Sequence, residues 1–305
     1  MKKLGLFRKL ELEKLLYKWY LPYFFIIPCI SWFVFVRTVP IAQSLFYYSF
    51  YQWDFLTPPK YVGLMNFKEI FNSELFRTAL INTCYYALGY VGLGLPLALI
   101  LALLINRMFK PLKVSLQTMY FFPTIVSSVA IAIVWRWIFD PNFGLLNWII
   151  LDILGLRAFV PTPKWIFDFN TVIPSIVLMS VWNTVGSNMV IFVAGLQTIP
   201  EVYYETAKVD GAGRWLTFRS ITLPSIRFTT TFIMVMMTIG AFQVFDQIYV
   251  MTEGGPGTSS YTLTFLIYQS AFRFLRVGEA AAVSLVLLSI VVALSIIQLR
   301  CTRQL

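Results

Sequence analysis

Six apolar runs, each long enough to cross a bilayer as a helix, dominate this chain, near 21–43, 76–105, 114–139, 171–197, 226–251 and 280–299. A spanning helix needs about 20 predominantly apolar residues, whereas a membrane barrel shows alternating strands of roughly ten. The runs match the first pattern. Of the 305 residues, 58% are hydrophobic and 12% charged, against about a quarter charged in a soluble domain. The apolar surplus has no use in water, so the sequence predicts an all-α integral membrane protein of six transmembrane helices. Pro28 and Pro40 in the first run, and Arg37 near one end of it, are features that kinked membrane helices tolerate. That run is also too long for a cleaved signal peptide and lacks a small-residue cleavage site.

The net charge of +10 does not point to nucleic acid, because the basic residues fall between the apolar runs rather than on one face. With the amino terminus on the cytoplasmic side, the inward segments hold fifteen of the 24 basic residues. They are Lys2, Lys3, Arg8, Lys9, Lys14 and Lys18, then Arg107, Lys110 and Lys113, then Lys208, Arg214, Arg219 and Arg227, then Arg300 and Arg303. By the positive-inside rule both termini and the 198–225 loop are expected in the cytoplasm. Residues 1–18 read as a basic amphipathic helix for the membrane surface. The outward segments 44–73 and 140–170, rich in Trp, Phe and Pro, suit either a partner or a packed cover.

Several chemistries are disfavoured. There is no histidine, which removes the commonest general base and transition-metal ligand. Cys29, Cys84 and Cys301 are odd in number and widely spaced, and read as small hydrophobes. No metal site and no catalytic constellation is expected. No Gly-Lys dipeptide occurs, so the chain has no phosphate loop of its own. A secondary carrier driven by ions usually buries carboxylates at midplane. Here Asp54, Glu69, Glu74, Asp140, Asp152 and Asp168 lie in outward segments, and only Asp246 and Glu279 sit in or beside a run. At about 1.5 Å per residue from position 226, Asp246 is expected roughly 30 Å along its helix, near the outer surface.

One polar stretch interrupts the second half of the chain, residues 198–225. Pro200 suits a first helical turn, and Glu201 and Glu205 complement its dipole. Gly211 and Gly213 stop that helix and permit a turn. A second helix over about 214–221 is expected to end at Pro224. Val202, Thr206 and Val209 share one face. The residues alone leave two readings open, a helix seated in a partner's groove and a helix lying on headgroups.

The spacing Glu205-Thr206-Ala207, three residues, Gly211, nine residues, Ile221, one residue, Leu223-Pro224 resembles the EAA motif of ABC importer permeases. Thr206 stands where that family usually has alanine. Asp210-Gly211-Ala212 resembles the family's Asp-Gly-Ala. Val62-Gly63-Leu64-Met65-Asn66-Phe67 and Thr252-Glu253-Gly254-Gly255-Pro256 are similar to segments of the carbohydrate-uptake branch. The resemblance covers nearly the whole chain. It implies the type-1 permease fold, with a first unit at 1–75, a transmembrane domain at 76–299 and a tail at 300–305. It also implies a second, non-identical permease, two cytoplasmic ATPases that bind ATP and Mg, an extracytoplasmic solute-binding protein, and residence in the inner membrane. The chain itself then carries no cofactor and is not an enzyme. The coupling residues it implies are Glu205, Thr206, Ala207, Asp210, Gly211, Leu223 and Pro224, with Glu205 in a charge-assisted contact and Ala207 permitting close approach.

For the cargo pathway, the fourth run carries Ser180, Asn183 and Ser187, and the fifth Gln243, Asp246 and Gln247, with Trp182, Phe242 and Tyr249 beside them. Hydroxyl and amide groups at membrane depth need partners. Sugar contacts and interhelical hydrogen bonds both satisfy that need. Gly89, Gly92, Gly94 and Pro96 suggest close packing or a hinge in the second run.

Overall fold

The computed structural model describes residues 23–156 and 161–304, so the expected helix at 1–18 lies outside the described residues. Along the chain come α1 (Tyr23–Phe50), a strand pair β1 (Tyr51–Gln52) and β2 (Lys60–Tyr61), α2 (Met65–Asn72) and α3 (Glu74–Asn106). Then follow α4 (Lys110–Ile125), α5 (Ser128–Ile138), a short α6 (Leu145–Asn147) and α7 (Val172–Gln197). The polar stretch forms α8 (Glu201–Val209) and α9 (Arg214–Ser225). The chain closes with α10 (Arg227–Phe242), α11 (Asp246–Met251), α12 (Leu263–Tyr268) and α13 (Val277–Gln304).

Four helices, α1, α3, α7 and α13, are each long and apolar enough to span a bilayer. The third and fifth expected spans are broken. The run at 114–139 bends by 96° between α4 and α5. Val126 and Ser127 are extended, just after Pro123 has weakened the last turn of α4. The run at 226–251 ends at Phe242 and restarts at Asp246, and α9 meets α10 at 66°. A continuous apolar run reports burial in lipid or protein; it does not report backbone dihedrals at two or three residues. The last helix runs from Val277 rather than 280 and past 299 to Gln304.

The core forms around α7, which packs on α3, α4 and α10. Its apolar character all round fits a central position. More than half of its most apolar window is buried (56%), against none for α1. Ile176, Met179, Met189 and Phe192 are fully enclosed. Small residues set the approach distances. A Cβ on Gly186 would lie 1.8 Å from the Tyr120 carbonyl oxygen, so α4 crosses α7 backbone to backbone there. A Cβ on Gly94 would meet Met237 at 2.7 Å, while Gly92 faces open space.

At the end of the bundle away from residues 198–225, β1 and β2 pair antiparallel, with Tyr51 opposite Tyr61. Asn66 Nδ2 donates to the Ser49 and Tyr51 carbonyls at 2.8 and 3.0 Å, and Val277 N–H to the Trp53 carbonyl at 2.9 Å. Asn66 thus ties the segment 62–67 to the end of α1, and Trp53 ties the chain just after β1 to the start of α13. The glycine-rich loop at 252–257 is also anchored. Asn82 Nδ2, on α3, donates to the Thr258 and Tyr261 carbonyls at 3.2 and 3.0 Å.

Candidate functional site

Two places combine polar side chains with irregular backbone. The first is the α8–α9 unit. Helix α8 starts after Pro200 and ends in a Schellman turn. Gly211, at φ +73°, gives its N–H to the Lys208 carbonyl at 3.1 Å, and Ala212 N–H reaches the Ala207 carbonyl at 2.8 Å. A β-carbon at Gly211 would touch nothing, so the glycine is needed for its left-handed backbone rather than for space.

Residues three or four apart share a helix face. Tyr204 and Ala207 turn inward; Ala207 is 7% exposed and Tyr204 packs on the core. The Tyr204 hydroxyl lies 3.2 Å from Thr222 Oγ1, tying α8 to α9. Val202, Glu205, Thr206 and Val209 are exposed, Val209 at 88%. Asp210, Leu223 and Pro224 are exposed as well. Ala207 is thus buried on the inward face of α8, beside the exposed face that carries Glu205 and Thr206. The expected stop at Pro224 is displaced. Its missing N–H follows a π-wound turn, Phe218–Thr222, and the break comes at Ile226, which is buried at the corner.

The second place is a cavity of about 300 Å³ between α3, α7 and the α10–α11 break, lined by Tyr86, Tyr90, Ser180, Thr184, Gln243 and Asp246, with Phe245 and Gln247 among the rest. Non-helical backbone at membrane depth is tolerated where it borders such a space. The freed carbonyls at the break find donors: Thr264 Oγ1 bonds the Phe242 oxygen at 3.0 Å and Thr262 Oγ1 the Val244 oxygen at 3.3 Å. Asp246 opens α11 and accepts a hydrogen bond from Ser128 Oγ, the first residue of α5. Arg136 Nη1 reaches the Val250 carbonyl at 3.2 Å. The broken ends of the third and fifth runs are thus joined at both ends of their contact.

Of the expected pathway residues, Ser180, Gln243 and Asp246 come together here, and Asn183, Ser187 and Tyr249 do not line the space. Thr124 Oγ1 donates to the Asn183 main-chain oxygen at 2.9 Å, Ser187 Oγ donates to the Thr184 carbonyl, and Tyr249 stacks on Phe245 at 5.4 Å. Tyr86, Tyr90 and Thr184 are additions. Their signal was present as i, i+4 pairs: Tyr86 with Tyr90, stacked at 5.8 Å, and Ser180 with Thr184. Among the described residues, no group of three carboxylates or thiols is placed to hold a metal ion.

Residues 94–303 match the family described as the inner membrane component of binding-protein-dependent transport systems. The chain belongs to this family. It is similar to the probable ABC transporter permease YurN of Bacillus subtilis, 35% identical over 92% of this chain and 95% of the relative. It is also similar to the arabinooligosaccharide transport system permease AraP of the same species, 31% identical over 92% and 87%. The permease shares its fold with a chain in the crystal structure of a bacterial ABC transporter that imports the acidic polysaccharide alginate (TM-score 0.81, 24% identity, 97% and 99% coverage). Membership makes this a mostly helical, membrane-embedded transporter subunit of the type-1 permease fold, from a family that is not catalytic.

Proposed function

We propose that this permease is the transmembrane subunit of an ATP-driven, binding-protein-dependent sugar importer of the cytoplasmic membrane. Both termini and the α8–α9 unit face the cytoplasm. A second, non-identical permease stands beside it, two cytoplasmic ATPases bind ATP and Mg, and an extracytoplasmic binding protein delivers the sugar. The observation that carries this reading is the exposed face of a Schellman-capped α8 on a corner packed into the core. A short amphipathic helix with one face buried at home and the other bare suits a partner's groove. Glu205, with Thr206 and Asp210 nearby, contacts the ATPase; Ala207 permits the close approach; Tyr204 holds α8 to α9; Gly211 turns the chain; Leu223 and Pro224 lead into the bend. ATP closes the ATPases, the α8–α9 units move, and the permease pair passes from inward- to outward-facing.

The carrier alternative, in which the cavity carboxylate Asp246 would couple transport to an ion gradient, makes an opposite prediction. The assembled transporter in proteoliposomes separates the two. Sugar uptake that requires ATP, and that Glu205→Ala removes while the protein remains folded by size-exclusion chromatography, supports the importer. Uptake driven by a pH gradient without ATP would sink it.

A further inference from the structure

We infer that the cargo of this permease is an uncharged glycan, and that Asp246 turns acidic and phosphorylated sugars away. The inference rests on the importer reading and takes the α3–α7–α11 cavity as this chain's share of the cargo station. The lining contains one carboxylate, Asp246, and neither lysine nor arginine. An anion brought within a few ångströms of that carboxylate meets repulsion that no charge on this wall offsets.

Hydrogen-bond supply points the same way. The Tyr90 hydroxyl donates to Thr184 Oγ1 at 2.9 Å, and Thr184 Oγ1 donates to the Ser180 main-chain oxygen at 2.9 Å. Both hydroxyl protons are spent within the wall, which leaves their oxygens as acceptors. Asp246 keeps acceptor capacity beyond the bond it takes from Ser128, because an ionised carboxylate only accepts. Gln243 and Gln247 add amide groups that donate as well as accept, so the wall meets a cargo that does both. Sugar hydroxyls donate and accept, whereas an ionised carboxylate only accepts and brings a second negative charge beside Asp246. Phe245, backed by Tyr249 and by Tyr268 at 5.1 Å, supplies an apolar face for the ring of such a cargo.

The probes are two trisaccharides of similar size, neutral arabinotriose and trigalacturonate, each measured by equilibrium dialysis against the purified permease–ATPase assembly without binding protein. The expected result is binding of arabinotriose at least tenfold tighter than of trigalacturonate. Asp246→Asn, whose amide oxygen still accepts from Ser128, is expected to narrow that ratio to within about threefold. Equal binding of both probes by the native assembly, or a ratio unmoved in the Asn variant, would overturn the charge assignment. The native ratio tests the claim even where the variant folds poorly. ATP-dependent sugar uptake, measured in parallel, tests the importer reading separately; its retention alongside equal binding would leave the importer standing and remove only Asp246 from its role.

Discussion

Gly211 is a position where backbone shape alone resists change. At φ +73° with nothing near its missing side chain, substitution by alanine costs about 1–2 kcal/mol of left-handed strain. Gly211→Ala is expected to reduce co-purification of the ATPase several-fold, and Gly211→Asn, which tolerates that conformation better, to recover part of it; equal recovery of ATPase by all three proteins would refute the role. Asn66 works through bonds instead. Asn66→Ala strips the Ser49 and Tyr51 carbonyls of their donor, at about 1–3 kcal/mol for each group left buried and unpaired. Faster proteolysis within residues 54–60 is the expected readout. The ending of α8 was legible in the sequence because a Schellman turn is built from neighbours in the chain. The inward direction of Ala207 and the partners of Asn66, seventeen and fifteen residues away, are set by packing that spacing does not encode.

Helices add a different lesson. Six apolar runs foretold the ends of α3 and α7 to within about two residues, since lipid-length hydrophobic stretches have sharp polar limits. The same runs concealed the break at Val126 and Ser127, because α4 and α5 together are long and apolar enough to read as one span. The α4–α7 crossing offers a paired test. Gly186→Ala drives a Cβ to 1.8 Å from the Tyr120 oxygen, so the helices must part and the thermal midpoint in detergent is expected to fall by several degrees. Gly92→Ala in α3 meets nothing within 4 Å and replaces a poor helix former; its midpoint is expected to hold or rise slightly. Equal losses at both positions would show that close approach is not what Gly186 provides.

The molecule as a whole has two ends of different character, a latched end carrying β1–β2 and the anchored glycine loop, and a bare end carrying α8 and α9. In a background with Cys29, Cys84 and Cys301 replaced by alanine, Val209→Cys is expected to react with an impermeant maleimide only from the cytoplasmic side. Leu56→Cys, at an 81% exposed site, is expected to react only from the outside. The opposite pattern, Val209→Cys reacting from outside and Leu56→Cys from the cytoplasm, would reverse the orientation drawn from the basic residues, and reaction of both from one side would overturn the odd number of crossings between them. The cavity belongs to this scale too, and for that reason only half of it was legible: Ser180, Gln243 and Asp246 were visible as stripes, but Tyr86 and Tyr90 reach them only once α3 lies on α7.

The corner at Ile226 carries a mechanical consequence. Because α9 and α10 meet at 66°, a push delivered along α9 resolves unequally on α10: most of it acts across that helix and less than half along it. Interlocked packing resists sliding of a whole helix past its neighbours. Under the proposed coupling, the corner would act as a bell crank, turning a thrust on α9 into a sideways swing of α10, and the far end of α10 is where Gln243 borders the cavity.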